Sequence, residues 1–124
     1  MKILILGSTG MLGSMVLDYL SSKNEFDITA PSRKDLFRVS CQNYDYIINC
    51  IGIIKQKLKD TEEAIEINSL MPYSLRNYIS PKAKIIQIAT DCVFSGKKGD
   101  YIETDPHDAE DIYGKTKSLG EVKD

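Results

Sequence analysis

A glycine-bearing loop between two apolar segments is the feature that most constrains the fold. Residues 2–6 (KILIL) are typical of a strand buried on both faces, and the loop 7–13 (GSTGMLG) follows them directly. Residues 11–22 then carry apolar side chains at three- and four-residue spacing, which predicts an amphipathic helix. The apolar face of that helix is expected to contain Met11, Leu12, Met15, Val16, Tyr19 and Leu20.

Segments typical of strands and helices alternate along the rest of the chain. Further strands are predicted at 26–30, 46–50 and 85–90, and helices at 61–79 and from about Ile112. Pro72 lies within the longer helix, where we expect a kink or a break. The alternation predicts an α/β fold: a Rossmann-type doubly wound parallel sheet, truncated to four strands in the order 3-2-1-4, with flanking helices.

Composition excludes several classes of function. Sixteen Lys and Arg face eighteen Asp and Glu, so the formal net charge of −2 gives no basic excess for nucleic acid or a membrane surface. No apolar run approaches the roughly 20 residues of a membrane span. The three cysteines, Cys41, Cys50 and Cys92, form no CxxC pair, which indicates a reducing cytoplasm and no disulfide or metal site.

The glycine loop predicts a dinucleotide site, with a plain tight turn as the alternative. Glycines permit the tight bend, the approach of a pyrophosphate and close helix packing, and the helix N-terminus attracts phosphate. The predicted contacts are Gly7, Ser8, Thr9, Gly10, Met11, Leu12, Cys50, Ile51 and Gly52. No carboxylate ends the second strand, and Ser32 with Arg33 could receive a 2′-phosphate, which favours NADP(H), with NAD(H) as the other option. Alternatively, Arg33 and Lys34 are solvated loop charges.

Tyr113 and Lys117 are the predicted catalytic pair. At i and i+4 they share one helix face, where the ammonium would stabilise a phenolate that exchanges a proton with substrate oxygen. Lys117 could also hydrogen-bond the nicotinamide ribose. Thr90, at the end of the fourth strand, could hydrogen-bond the carbonyl being reduced. Asn68 could hold backbone or water near the cofactor, or it could lie on a helix surface without a role.

Several motifs in order resemble a known family. The GxxGxxG loop is similar to that of extended short-chain dehydrogenases/reductases, and the stretches 84–96 (KIIQIATDCVFSG), 101–105 (YIETD) and 113–121 (YGKTKSLGE) resemble the dTDP-4-dehydrorhamnose reductase family. The resemblance implies NAD(P)H-dependent reduction of a 4-keto group on a nucleotide-activated deoxysugar, in rhamnose and polysaccharide biosynthesis. It implies that Thr90 orients the carbonyl, that Tyr113 donates the proton and that Lys117 is its partner. Ala89 and the run 49–56 (NCIGIIKQ) depart from the family pattern.

The length of 124 residues bounds the expected organisation. One incomplete NAD(P)-binding domain is expected over 1–124, without the C-terminal substrate domain, so this chain alone is expected to turn over weakly or not at all. The fourth strand would be an open edge, through which a second copy could pair. The sequence leaves two other functions open: an NAD-dependent nucleotide-sugar epimerase or dehydratase, and a non-catalytic cofactor-binding regulatory subunit.

Overall fold

A computed structural model describes residues 1–35 and 39–122. Residues 33–42, whose sequence is ambiguous but compatible with a short helix, lie partly outside these ranges. A 3₁₀ turn occupies Cys41–Asn43. Two compact units are present. The sheet unit consists of Met1–Ile51 and Ser74–Ile88, and the helical unit consists of Gly52–Tyr73 and the residues from Ala89 onward.

The sheet unit contains four parallel strands. These are β1 (Lys2–Leu6), β2 (Asp27–Thr29), β3 (Tyr46–Asn49) and β4 (Lys84–Gln87). β1 pairs with β2 on one side (Ile3 with Ile28) and with β3 on the other (Leu4 with Ile47), and β3 pairs with β4. The parallel α/β sheet is therefore confirmed.

The expected strand order of 3-2-1-4 is wrong, because the sheet runs β2-β1-β3-β4. The 3-2-1-4 order places the third strand beyond the second. Here β3 pairs directly with β1, Leu4 with Ile47, on the side of β1 opposite β2. The chain therefore passes back across β1 and adds β3 at its free side, which leaves β2 and β4 at the edges of the described sheet. The local apolar pattern identifies each strand but not the strand with which it pairs.

The central strands are buried on both faces. Ile3, Ile5 and Ile48 form a core cluster on one face, and Leu4, Leu6 and Ile47 form a second cluster on the other. Side chains alternate along a strand, so a continuous apolar run supplies both clusters at once. This is the arrangement that a sheet covered on both faces requires.

The core-facing side of helix α1 (Met11–Ser21) differs from the expected one. Val16, Leu17 and Leu20 pack against the first cluster, whereas Met11 and Met15 are 83% and 66% exposed. Tyr19 and Leu12 are also exposed. The reason is that Gly13, the buried residue of this helix, packs against the glycine loop. The helix face that contains Gly13, and with it Val16, Leu17 and Leu20, is therefore the face turned toward the core.

The helical unit begins beyond β3 with a 3₁₀ turn at Lys55–Lys57. A long helical stretch follows, made of α2 (Thr61–Ala64), a π-helical segment (Ile65–Leu70) and α3 (Met71–Tyr78). Within α3, the residues from Ser74 onward belong to the sheet unit. The helix is not broken at Pro72. It widens just before that residue, so that the Met71 N–H donates to the Glu66 carbonyl five residues earlier. A widened turn accommodates a proline, whose ring would clash with the preceding turn of a regular helix.

Two further elements complete this unit. A 3₁₀ turn spans Asp91–Val93, and helix α4 spans Ile112–Leu119, where the sequence predicted a helix. The predicted strand at 85–90 ends earlier, at Gln87, so Thr90 follows the strand rather than closing it.

Candidate functional site

The glycine loop bends sharply at the end of β1. Gly7 has φ of +77°, in the left-handed region that favours glycine, and its carbonyl accepts the Gly10 N–H at 2.9 Å. A Cβ at Gly13 would lie 2.1 Å from the Gly7 carbonyl oxygen, so α1 packs directly against the loop. A Cβ at Gly7 would lie 3.0 Å from the backbone of Cys50 and Ile51. The loop and the exit of β3, both predicted as cofactor contacts, therefore lie together in the sheet unit.

The N-terminus of α1 is suited to an anion. Gly10 is the N-cap residue, no side chain caps the helix, and the first turn contains no acidic residue. Thr9, Gly10, Met11 and Leu12 are exposed, while Ser8 is buried. A helix end with free N–H groups and a positive dipole binds phosphate, and the glycines leave room for it. These residues fit the pyrophosphate of a dinucleotide.

Asn49 holds the exit of β3 in place, a role the sequence reasoning did not assign. Its side chain is fully buried; Oδ1 accepts the Ile51 N–H at 3.1 Å, and Nδ2 donates to Gln87 Oε1 at 2.8 Å. It thereby fixes the turn after β3 and ties it to β4. The available signal was an asparagine directly after an apolar strand run. Burial raises the pKa of the adjacent Cys50 thiol, which disfavours the reactive thiolate.

The exit of β2 lies beside the loop and contains a carboxylate that the sequence reasoning did not use. Ser8 Oγ donates to the Pro31 carbonyl at 3.4 Å. Ser32 Oγ donates to Asp35 Oδ2 at 2.6 Å, and Arg33 is exposed between them in sequence. The predicted 2′-phosphate pair, Ser32 and Arg33, thus shares its loop with an acidic group.

Thr90 caps the turn that leads away from the sheet. Its Oγ1 accepts the Cys92 N–H at 3.3 Å, which leaves the hydroxyl proton available to another acceptor. A Cβ at Gly114 would lie 2.2 Å from the Cys92 carbonyl oxygen, so the first turn of α4 lies directly against this turn. Because Gly114 follows Tyr113, the fold brings two of the three predicted catalytic residues onto adjoining backbone segments.

Lys117 lies one turn after Tyr113 on α4. It is 8% exposed, and burial lowers the pKa of its ammonium, an effect that the Glu121 carboxylate opposes. Tyr113 is half-buried. The buried ammonium and the half-buried phenol therefore lie one turn apart on the same face of α4.

Asn68 connects three segments of the helical unit from within the π-helical segment. It is 2% exposed. Oδ1 accepts the Ile53 N–H at 2.8 Å, and Nδ2 donates to the Ile53 carbonyl at 3.0 Å and to Thr116 Oγ1 at 3.3 Å. Gly52, beside Ile53, is exposed. The predicted helix-surface alternative for Asn68 is wrong, because the side chain is buried between the segment after β3 and α4.

The polar loop before α4 is ordered by its own side chains. Asp108 accepts from Ser95 N–H and Oγ at 2.7 and 2.6 Å and from the Tyr101 hydroxyl at 3.1 Å, which holds the pKa of this carboxyl below its usual range. Phe94 stacks on Tyr101 with 4.5 Å between ring centroids. His107 Nδ1 lies 2.8 Å from Ser118 Oγ, which joins the loop to α4.

Comparison with known proteins supplies the family. The family model described as RmlD substrate binding domain matches residues 1–123. The chain belongs to this family. The resemblance to dTDP-4-dehydrorhamnose reductases is thereby confirmed, and it agrees with a Sulfolobus tokodaii structure titled hypothetical dTDP-4-dehydrorhamnose reductase. That structure is 28% identical, has a TM-score of 0.77, and is matched over 98% of this chain and 50% of its own.

Other relatives of this RmlD-family chain extend the comparison. The spore coat polysaccharide biosynthesis protein SpsK of Bacillus subtilis is 31% identical over 97% of this chain and 47% of SpsK. A UDP-glucuronic acid 4-epimerase of Bacillus cereus, solved in complex with NAD, shares the fold with a TM-score of 0.82 and 22% identity. The match covers 98% of this chain and 50% of the epimerase. The chain spans about half the length of these relatives. The family match covers nearly the whole of this chain, and the epimerase, at 22% identity, shows the shared fold.

The described part of the chain contains neither a candidate metal cluster nor a candidate membrane helix. No group of three or more His, Cys, Asp or Glu side chains among residues 1–35 and 39–122 could hold a metal ion. Within the same ranges, no helix is both long and apolar enough to cross a bilayer.

Proposed function

We propose that this chain is the cofactor-binding and proton-donating part of an NADPH-dependent reductase. Its substrate class is a nucleotide-activated 4-keto-deoxysugar, and its setting is cytoplasmic synthesis of cell-surface polysaccharide. The observation that carries the proposal is the close packing of Gly114 on the Cys92 carbonyl, because it joins the turn capped by Thr90 to the helix turn bearing Tyr113. The SpsK relative, named for polysaccharide biosynthesis, supports the setting.

The reacting residues have distinct roles in this proposal. The Thr90 hydroxyl proton hydrogen-bonds the substrate carbonyl oxygen and polarises it. Tyr113 gives its phenol proton to that oxygen as the carbonyl becomes an alcohol, and the Lys117 ammonium stabilises the phenolate left behind. A bound reduced nicotinamide supplies the hydride that the carbonyl carbon accepts. Lys117 also hydrogen-bonds the nicotinamide ribose.

The cofactor residues divide by the part of the dinucleotide they hold. The loop residues Gly7 to Leu12 and the free N-terminus of α1 take the pyrophosphate. Cys50, Ile51 and Gly52 form the wall beside it. Asn68 fixes the backbone of Ile53, the residue that follows Gly52.

The choice between NADPH and NADH depends on two neighbouring charges. The exposed Arg33 guanidinium is suited to a 2′-phosphate, which supports NADPH. The Asp35 carboxylate, bonded to Ser32, would repel that phosphate and could instead accept a ribose 2′-hydroxyl, which favours NADH as the second candidate. Substitutions that remove the charge of Arg33 and of Asp35 should therefore have opposite effects on the affinity for NADPH.

Titration of the purified chain with NADPH and NADH, by cofactor fluorescence, tests the proposal. Arg33→Ala should weaken the binding of NADPH about tenfold, or roughly 1.4 kcal/mol, and leave the affinity for NADH unchanged. Asp35→Asn should strengthen the binding of NADPH, because it removes a negative charge that would repel the 2′-phosphate. Lys34→Ala, an exposed cation in the same loop, is the matched control and should change little. Failure of the wild-type chain to bind either cofactor would contradict the proposal.

An epimerase is the alternative enzyme, favoured by the fold shared with the Bacillus cereus epimerase. A reductase consumes one NADPH for each product molecule, whereas an epimerase returns its cofactor to the starting state. Absorbance at the reduced nicotinamide band, followed together with product formation, separates the two. Cofactor binding without any turnover in the intact protein would favour a regulatory subunit.

A further inference from the structure

An ion pair connects the segment after β3 to the start of α4. Lys55 Nζ lies 2.6 Å from Asp111 Oδ2, and the two side chains are 67% and 44% exposed. Lys55 begins the 3₁₀ turn Lys55–Lys57, and Asp111 is the N-cap residue of α4. Two segments far apart in sequence are thus joined at the residue that starts the helix bearing Tyr113.

The Asp111 carboxylate makes a different contact with each oxygen. Oδ1 accepts the Gly114 N–H at 2.8 Å, which caps the first turn of α4, while Oδ2 faces Lys55. The Gly114 N–H and then the Lys55 ammonium hold the pKa of Asp111 below its usual range. Because one rigid carboxylate carries both contacts, the orientation of the cap depends on where Lys55 holds the second oxygen.

Tyr113 lies between the cap and the glycine that the cap contacts. Asp111 therefore sets the backbone on both sides of Tyr113, and a shift of about 1 Å in a reacting group can reduce a rate about 100-fold. Lys57, in the same 3₁₀ turn, takes part in no ion pair within the described ranges 1–35 and 39–122. The contact to α4 is thus specific to Lys55 rather than general to this basic run.

We propose that Lys55 is a positioning residue for Tyr113, acting through the carboxylate of Asp111. The proposal rests on the reductase function proposed above, and it assigns a role to a residue that lies outside the Thr90, Tyr113 and Lys117 set. An exposed ion pair contributes little to overall stability, so the effect is expected in the geometry of the first turn of α4 and in turnover.

The first test measures the cap without requiring activity. Amide hydrogen exchange of Gly114, followed by NMR in the 124-residue chain, should accelerate severalfold in Lys55→Met and stay unchanged in Lys55→Arg and in the control Lys57→Met. Asp111→Asn retains an acceptor for Gly114 but loses the charge facing Lys55. The Lys55→Met/Asp111→Asn double variant should therefore exchange no faster than the more affected single variant.

The second test measures turnover with NADPH and a nucleotide-linked 4-keto-deoxysugar. Lys55→Met should lower kcat about tenfold with KM unchanged, and Lys55→Arg should restore it. Absence of turnover by the wild-type chain agrees with the weak activity expected of these 124 residues alone; the NADPH titration then decides the reductase proposal, and Gly114 exchange decides the role of Lys55. Equal Gly114 exchange in Lys55→Met and Lys57→Met, or a kcat that Lys55→Met leaves unchanged, overturns the proposal.

Discussion

Replacing Asn68 with alanine should destabilise the chain far more than the same change at its neighbour Ser69. Asn68→Ala removes three hydrogen bonds from a 2%-exposed side chain, two to Ile53 and one to Thr116. At about 1 kcal/mol for each bond, the loss is about 3 kcal/mol. A folded domain is stable by only about 5–15 kcal/mol, so this is a large fraction of the total.

Ser69 is the matched control because it is adjacent, 4% exposed and also bonded to α4. Its hydroxyl donates to the Thr116 carbonyl at 2.8 Å, and that carbonyl also accepts the Gly120 N–H at 3.1 Å. Ser69→Ala therefore leaves no buried carbonyl unpaired and should reduce the free energy of unfolding by about 1 kcal/mol. The difference between the two variants, about 2 kcal/mol, is the quantity to measure.

Urea unfolding followed by circular dichroism gives both free energies. Asn68→Asp separates hydrogen bonding from packing, since it keeps the size and the acceptor for the Ile53 N–H but loses both donors. It should be at least as destabilising as Asn68→Ala, because a buried carboxylate would then face the Ile53 carbonyl. If Asn68→Ala reduced stability no more than Ser69→Ala, the conclusion that Asn68 joins these segments would be refuted.

Three further outcomes are expected. Gly13→Ala should prevent correct folding or abolish cofactor binding, because its methyl group would lie 2.1 Å from the Gly7 carbonyl oxygen. Gly10→Ala should have a mild effect, because its methyl group would lie 3.2 Å from the same atom, and thermal melts of the two variants test this difference. The pKa of Asp111 is lowered in the folded chain, so its ionised carboxylate contributes fully to folding stability above the unfolded pKa near 3.8. That contribution is lost as the pH falls through the folded pKa, and acid titration of an Asp111→Ala chain should not show this loss of stability. Burial lowers the pKa of Lys117, so between the folded pKa and 10.5 the unfolded chain binds more protons and stability should rise with pH. Urea midpoints followed from pH 7 to pH 10.5 should show this rise in wild type and not in Lys117→Met.

Local signals predicted the elements and much of the candidate site. The strand, loop and helix around Gly7 depend on residues close in sequence, and so does the placement of Tyr113 and Lys117 on one helix face. The Asn68 side chain accepts a hydrogen bond from the Ile53 backbone, and its role near a cofactor stays a prediction.

Long-range contacts account for what the sequence did not predict. Whether β3 joins β1 or β2 depends on long-range pairing, such as that of Leu4 with Ile47, and not on any local motif. The Lys55–Asp111 pair joins residues 56 apart, and each looks like an ordinary surface charge in isolation. The exposed Met11 and Met15 were misplaced because helix periodicity identifies an apolar side but not which part of it the neighbouring loop covers.

The π-helical segment has a consequence for how this helix tolerates insertions and deletions. A π turn accommodates one residue more than an α turn, so residues before and after Ile65–Leu70 are out of phase with one another by about 100°. Removing a single residue there would restore a regular helix but would rotate Asn68 away from Ile53 and Thr116. The extra residue therefore sets the angular position of Asn68 relative to α2, and with it the contacts of Asn68 to Ile53 and Thr116.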